Sequence, residues 1–202
     1  MRLISSLLIF LALPLAAFAA DPAEPDVLDM NLDDNIATPA VPKKAQNYVR
    51  QAMDQLRRLM TKNDLHAVSS RDGEVIEVTV PCDKLFAPMS TDLKTSAFNL
   101  LRPLSTVARE PNKYKILVAV HTDDTGDDQY ADSISAARAN SIDDALWQLV
   151  GEKETNVIPY GIGKDEPVAP NASRQGRSAN RRVEFFIVPQ WGLIEMSGVK
   201  RK

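Results

Sequence analysis

The chain has 202 residues, 44% of them hydrophobic and 25% charged, which is ordinary for a globular protein that buries a core. Its formal net charge of −3 at pH 7 argues against nucleic acid as a main partner. The single cysteine, Cys82, excludes an internal disulfide and is expected to be a small buried hydrophobe. With only two histidines, no metal or cofactor site is predicted.

The first twenty residues form a separate unit. Arg2 precedes an apolar run that extends from Leu3 to Leu13, and Ala17-Phe18-Ala19 follows it. This pattern predicts a secretory signal peptide over residues 1–20, cleaved at an A-x-A site. The alternative is an uncleaved signal that anchors the protein in the membrane. Residues 21–42 carry acids and prolines and few large apolar groups, which predicts an extended linker.

Residues 43–62 have an apolar stripe at helical spacing and predict a helix of about five turns. Two interpretations of the stripe stay open: it packs on the sheet of its own domain, or it pairs with a second copy as a homodimer.

The remaining elements predict an α/β (α+β) sandwich. Two strands, Leu65–Ser69 and Glu74–Val80, are joined by an Asp-Gly turn, and the second of them is expected to be central. After them come a helix over 91–109, a strand over 115–120, a helix over 128–150 and strands near 156–161 and 182–188. The order β-β-α-β-α-β-β indicates a mixed sheet with helices packed on one face. The domain is therefore placed at 43–190, and the basic end, 191–202, is expected to be a mostly disordered tail.

The candidate site lies between the 115–120 strand and the helix that follows it. Asp123 comes just after the strand, and Arg138 lies in the helix, so the two side chains can meet across the connecting loop. A carboxylate beside a planar guanidinium suits a ligand that carries both an ammonium and a carboxylate group.

Four short motifs carry a resemblance to a known family. They are the His121-Thr122-Asp123 turn, Ser135-Ala-Ala-Arg138-Ala139, the loop Tyr160-Gly-Ile-Gly163 that leads to Pro167, and Gly176-Arg177 followed by Asn180-Arg181-Arg182-Val183-Glu184. In this order they resemble the OmpA/MotB-type C-terminal domain, a peptidoglycan-binding module. The resemblance implies that Asp123 and Arg138 hold the diaminopimelate residue of the wall's stem peptide. The supporting residues are then Thr122, Thr125, Gly126, Asn180, Arg177 and Arg182, with backbone N–H groups near Thr125 and Gly126 completing the site.

The sequence departs from the family at Ala131, where family members usually have an asparagine. Loss of that amide removes one or two hydrogen bonds, each worth about 1 kcal/mol. This departure favours an alternative in which the fold is kept, the pocket is silent, and the protein is an interaction subunit of an envelope or secretion complex.

The resemblance implies a non-catalytic periplasmic protein that tethers an envelope component to the wall. No nucleophile is placed by the sequence to use His121 as a base, so a structural role is expected for that histidine. Arg177, Arg181 and Arg182 form a basic patch that either contacts a wall carboxylate or ties down the loop before the last strand.

Overall fold

The computed structural model describes residues 30–151 and 153–201. The predicted signal peptide and the first part of the predicted linker, residues 21–29, lie outside these described residues. Five strands form one sheet: β1 (His66–Ser70), β2 (Val75–Pro81), β3 (Tyr114–His121), β4 (Val157–Gly163) and β5 (Arg182–Pro189). The helices are α1 (Leu32–Ala37), α2 (Gln46–Lys62), α3 (Cys82–Leu85), α4 (Ala97–Ala108), α5 (Asp128–Val150), α6 (Arg174–Asn180) and α7 (Trp191–Glu195).

The sheet has the order β1-β2-β5-β3-β4 and is mixed. Strands β3 and β4 are parallel and connected through α5, whereas β1, β2, β5 and β3 pair antiparallel with their neighbours. The predicted sandwich and its strand and helix order are confirmed. Strand β2 is an interior strand as expected, although the middle position belongs to β5, the last strand in the sequence.

The main core lies between one face of the sheet and the three long helices. Strand β3 sends Ile116, Val118 and Val120 into this core, where they meet buried residues of α4 and α5. Helix α2 contributes Val49, Met53 and Met60, each at most 1% exposed. Its apolar stripe therefore packs within its own domain, as the first interpretation held. Pairing with a second copy through this helix stays a prediction.

Helix α4 begins at Ala97, six residues later than the predicted start at Thr91. Leu93 instead forms an isolated β-bridge with Phe86, and the Lys94 N–H donates to the Leu85 carbonyl at 2.8 Å. The residues before Ala97 are thus held in a turn that closes over α3, which the apolar pattern alone did not indicate.

The prediction of an extended linker is wrong for residues 30–42. Helix α1 packs Leu32 and Ile36 on the second face of the sheet, against Leu117, Ala119 and Phe186 among others. That face also holds a fully buried lysine, Lys115, whose ammonium donates to Asn35 Oδ1. A buried ammonium needs such an acceptor, so the segment that supplies it folds onto the sheet.

Three further contacts fix this segment. Asn35 donates to the Tyr160 hydroxyl at 2.6 Å, Tyr160 donates to the Met30 carbonyl at 3.0 Å, and Arg71 donates to the Ile36 carbonyl at 2.6 Å. Helices therefore cover one face of the sheet fully, and a short helix covers part of the other.

The prediction of a disordered tail is also wrong over its first half. Leu193 and Ile194 in α7 are buried in the main core, and the Gly192 N–H donates to the Asn112 carbonyl at 3.0 Å. A helix of five residues is too short to show helical periodicity, which is why the sequence pattern missed it. No helix within the described ranges, 30–151 and 153–201, is long and apolar enough to cross a membrane.

Candidate functional site

The candidate site lies at one end of the sheet, where several chain segments converge. Strands β2 and β3 end there and β5 begins there, because β5 runs antiparallel to both. The Cys82 N–H donates to the Arg181 carbonyl at 2.9 Å, and the Thr122 N–H donates to the Gly163 carbonyl at 2.7 Å. The first bond joins the start of α3 to the residue that precedes β5, and the second joins the loop after β3 to the end of β4.

Between these loops is a cavity of about 320 Å³. Asp123 and Arg138 both line it, so the structure brings the two predicted ligand residues to one cavity. The other lining residues are Cys82, Asp83, Phe86, Ala87, Pro88, Met89, Thr122, Thr125, Tyr130, Ala131, Ile134 and Arg181. The walls are mostly apolar, with a few charged and polar groups between them.

Asp123 is held by the loop that follows β3. Its Oδ1 accepts the Thr125 N–H at 2.9 Å, and its Oδ2 accepts a hydrogen bond from Arg181. Burial by itself raises the pKa of Asp123, but the hydrogen bonds from Thr125 and Arg181 outweigh burial and leave the pKa below its usual value. Asp123 is therefore ionised at neutral pH.

Arg138 lies in the middle of α5 and is only 6% exposed. Its Nε donates to the Ser90 carbonyl at 2.9 Å, and its guanidinium lies over the Phe86 ring at 5.1 Å from the ring centre. Both contacts come from the segment between α3 and α4. They fix the direction of a long side chain and leave part of the guanidinium facing the cavity.

The structure separates the predicted supporting residues into different roles. Thr122 and Thr125 line the cavity, and Gly126 makes the left-handed turn (φ 95°) that leads into α5. The N–H of Thr125 is bonded to Asp123, so its expected contact with a ligand stays a prediction. The short side chain of Asp123 closes the loop onto itself.

Asn180 supports the loop between β4 and α6 rather than the cavity. It is fully buried: its Oδ1 accepts the Val168 and Ala169 N–H groups at 2.9 Å each, and its Nδ2 donates to Ala169 and Asn171. Arg177 donates to the Asn171 carbonyl at 2.7 Å in the same loop. Both residues therefore act on the loop's shape.

Arg182 points away from the cavity. It donates to Glu184 at 2.6 Å and to the Glu166 carbonyl at 3.1 Å, and Glu184 also meets the ring of His121 at 3.1 Å. Burial raises the pKa of Glu184, but His121 and Arg182 more than offset this and lower it. His121 is thus a structural residue, 1% exposed and paired with a carboxylate.

Arg181 is the cavity residue that the sequence-based site left out. It stands next to Arg182, and sequence alone does not say which of two adjacent arginines faces the cavity. The ion pair with Asp123 identifies it, and 40% of its side chain stays exposed.

Cys82 is 3% exposed and belongs to the core, as expected. Burial raises the pKa of its thiol to about 11, so the thiol is protonated and unreactive at neutral pH. No group of three or more His, Cys, Asp or Glu side chains in the described part of the chain could hold a metal ion.

Comparison with known proteins identifies this arrangement. Residues 85–181, which contain the cavity loops and α5, match the model of the OmpA family. This match confirms the predicted resemblance to the OmpA/MotB-type domain.

One curated relative is a protein of the bacterial envelope by its name. The chain is 31% identical to YiaD of Escherichia coli strain K12, which is named as a lipoprotein, over 59% of this chain and 54% of YiaD. The chain therefore spans about half the length of that curated relative.

Two solved structures resemble the domain. A MotB-like protein of Desulfovibrio vulgaris has a TM-score of 0.61 and 26% identity, over 72% of this chain and 99% of the other. The type VI secretion system (T6SS) cell wall anchor of Pseudomonas aeruginosa has a TM-score of 0.57 and 27% identity, over 67% of this chain and 97% of the other.

Proposed function

We propose that this protein binds peptidoglycan non-covalently in the bacterial periplasm and tethers an envelope component to the cell wall. The observation that carries the proposal is the placement of an ionised Asp123 and a fixed Arg138 in one cavity of an OmpA-family domain. The name of the Pseudomonas relative, a cell wall anchor, supports the same direction.

The ligand proposed is the stem peptide of the wall, at its diaminopimelate residue. Asp123 would accept a hydrogen bond from the ligand ammonium, and Arg138 would donate to the ligand carboxylate. The aliphatic part of such a residue would lie against Phe86, Pro88 and Ile134 in the apolar wall. No bond is made or broken, so the proposed function is binding and not catalysis.

Export is part of the proposal. The N-terminal segment, residues 1–20, would direct the chain to the periplasm, and the sequence of the exported protein's first residues distinguishes a cleaved signal from an anchor. The domain is proposed to begin before residue 43, the predicted start, since α1 also packs on the sheet.

A second candidate function is an interaction subunit with a silent pocket. Ala131 favours it, because the structure places this residue, 1% exposed, in the cavity wall where the family usually has an amide. The two functions differ in whether the cavity contributes to wall binding.

Co-sedimentation of the purified protein with insoluble peptidoglycan sacculi tests the proposal. We expect the wild type to pellet with sacculi and free meso-diaminopimelate to release it. Asp123→Asn keeps the shape of the side chain and removes its charge, and Arg138→Lys keeps the charge and removes the planar fork. Each change should weaken binding about 10- to 100-fold, the range expected for a lost charge-assisted hydrogen bond.

Asp124→Asn is the matched control, since Asp124 is exposed, adjacent to Asp123 and absent from the cavity lining. It removes the same charge and should leave pelleting unchanged. Pelleting of folded wild type and all three variants alike would show that the cavity is silent and would favour the second function.

A further inference from the structure

Both oxygens of Asp123 are occupied before any ligand arrives. One oxygen accepts the Thr125 N–H, and the other is bonded to the Arg181 guanidinium. A ligand ammonium that reaches Asp123 meets a carboxylate whose charge is already paired with Arg181, so the two cations compete for it. On the other side of the cavity, Arg138 is held in place by Ser90 and Phe86.

The exchange at Asp123 replaces one cation with another, so by itself it yields little free energy. The charged residues that line the cavity are Asp83, Asp123, Arg138 and Arg181, and Asp83 is exposed to solvent. Once the ligand ammonium pairs with Asp123, the cavity holds three cationic groups, the ammonium, Arg138 and Arg181, and Asp123 is the one buried carboxylate among its described lining residues. Their repulsion disfavours the exchange unless the ligand brings negative charge.

A ligand that carries a carboxylate changes this balance. Arg181 immediately precedes β5, and its side chain is 40% exposed. The side chain can therefore turn towards a carboxylate at the mouth of the cavity. A guanidinium pairs well with a carboxylate, in one or two parallel hydrogen bonds. The ligand ammonium then takes the place of Arg181 on Asp123, and the ligand carboxylate takes the place of Asp123 on Arg181.

We propose that Arg181 is a specificity-determining residue of this site: it admits an ammonium group to Asp123 only when the same ligand supplies a carboxylate for the displaced guanidinium. The inference rests on the proposed binding function and adds a class of excluded ligands, the simple amines and polyamines. Such cations compete with Arg181 for Asp123 and supply no carboxylate to which the displaced guanidinium could donate.

Two probes that differ only in their carboxylates test the proposal. meso-2,6-Diaminopimelate and 1,5-diaminopentane have their amines at the same spacing, and the second lacks both carboxylates. Dissociation constants would be measured by NMR titration for wild type, Arg181→Gln and Arg174→Gln. Arg174 is an exposed arginine of α6 that does not line the cavity, so its variant removes the same charge elsewhere.

Arg181→Gln should tighten the binding of 1,5-diaminopentane about fivefold, the effect of removing a partly exposed competing cation. It should not tighten the binding of diaminopimelate. The ratio of the 1,5-diaminopentane dissociation constant to the diaminopimelate dissociation constant should therefore fall about fivefold or more. Arg174→Gln should leave both constants within about twofold of wild type. If Arg181 had a purely structural role, Arg181→Gln would weaken the binding of both probes together.

The outcomes separate this inference from the proposed function. If wild type binds sacculi and diaminopimelate but Arg181→Gln leaves the ratio of the two constants unchanged or weakens both, the role of Arg181 is wrong and the function stands. If neither wild type nor Arg181→Gln binds any probe, both are wrong. Thermal unfolding of each variant confirms that the compared proteins are folded.

Discussion

Gly161 of β4 lies directly against the backbone of α5 at Ala136, and it offers a sharp test of how packing supports the site. A Cβ added there would lie 2.5 Å from the Ala136 nitrogen, 2.6 Å from its Cα and 2.9 Å from its Cβ. The first two atoms are backbone, so the clash is relieved only if the helix moves away from the strand. Helix α5 carries Arg138, whereas Asp123 lies in the loop before the helix.

Gly161→Ala should therefore destabilise the fold and disturb the site together. Overpacking of a well-packed core costs about 1–3 kcal/mol, and a clash with backbone belongs at the upper end, at about 3 kcal/mol. For a protein of this size each kcal/mol lowers Tm by about 2–4 °C, so Tm should fall by about 6–12 °C. Diaminopimelate binding should weaken as well, since Arg138 moves with the helix.

Urea unfolding followed by circular dichroism measures the stability change. Gly151→Ala is the control for a glycine change without a clash: a Cβ there meets nothing within 4 Å, and only the left-handed φ of 89° is unfavourable. It should cost about 1 kcal/mol. Adding Ala136→Gly to Gly161→Ala should restore little, because it removes only the farthest of the three contacts. Stability of Gly161→Ala within about 0.5 kcal/mol of wild type, or full rescue by Ala136→Gly, would refute this reasoning.

Two further predictions concern polar groups in the interior. Asn180→Ala should destabilise the protein by about 3 kcal/mol in the same urea experiment, since it leaves the Val168 and Ala169 N–H groups and the Ala169 carbonyl unpaired. Asn180→Asp keeps the acceptor for both N–H groups but turns a carboxylate oxygen towards the Ala169 carbonyl and Asn171 Oδ1, so it should destabilise the protein as well. Burial lowers the pKa of Lys115 from 10.5, its value in the unfolded chain, to about 8 in the folded protein. Between about pH 8 and pH 10.5 the unfolded chain therefore binds more protons than the folded one. Across that window this lysine makes the stability of the fold rise with pH. The stability of Lys115→Met relative to wild type should therefore fall by about 3 kcal/mol between pH 7.5 and pH 10.5, and an unchanged difference would mean that Lys115 does not titrate as described.

The elements with strong periodicity could be predicted from the sequence. Helix α5 occupies the predicted range, and β3 extends the predicted strand by one residue at each end. The sequence pattern does not predict α1 and α7, because tertiary contacts stabilise these short helices. Helix α1 folds where Lys115 needs an acceptor, and α7 folds where Leu193 and Ile194 reach the core. Neither requirement is visible within the segment itself.

In the site, too, contacts within one continuous segment could be predicted from the sequence, and contacts between distant segments could not. Asp123 and Arg138 were found because they belong to one strand-loop-helix unit, in which spacing along the chain fixes their relative position. Arg181 comes from the last strand connection, and its contact with Asp123 depends on β5 lying beside β3. Sequence spacing carries no information on that pairing, so the basic patch of Arg177, Arg181 and Arg182 does not show which arginine reaches Asp123.

The motif residues thus fall into two groups with different consequences. Gly161, Gly163 and Asn180 shape the backbone: Gly161 allows α5 to approach β4, Gly163 adopts φ 63° beside Asp132, and Asn180 closes the loop before α6. Asp123, Arg138 and Arg181 line the cavity and set its charge. Variants that keep the backbone-shaping group should keep the cavity, whereas changes in the charged group should alter which ligands bind there. Ala131 lines the cavity and belongs to neither group, so Ala131→Asn is expected to change ligand affinity and leave the fold intact.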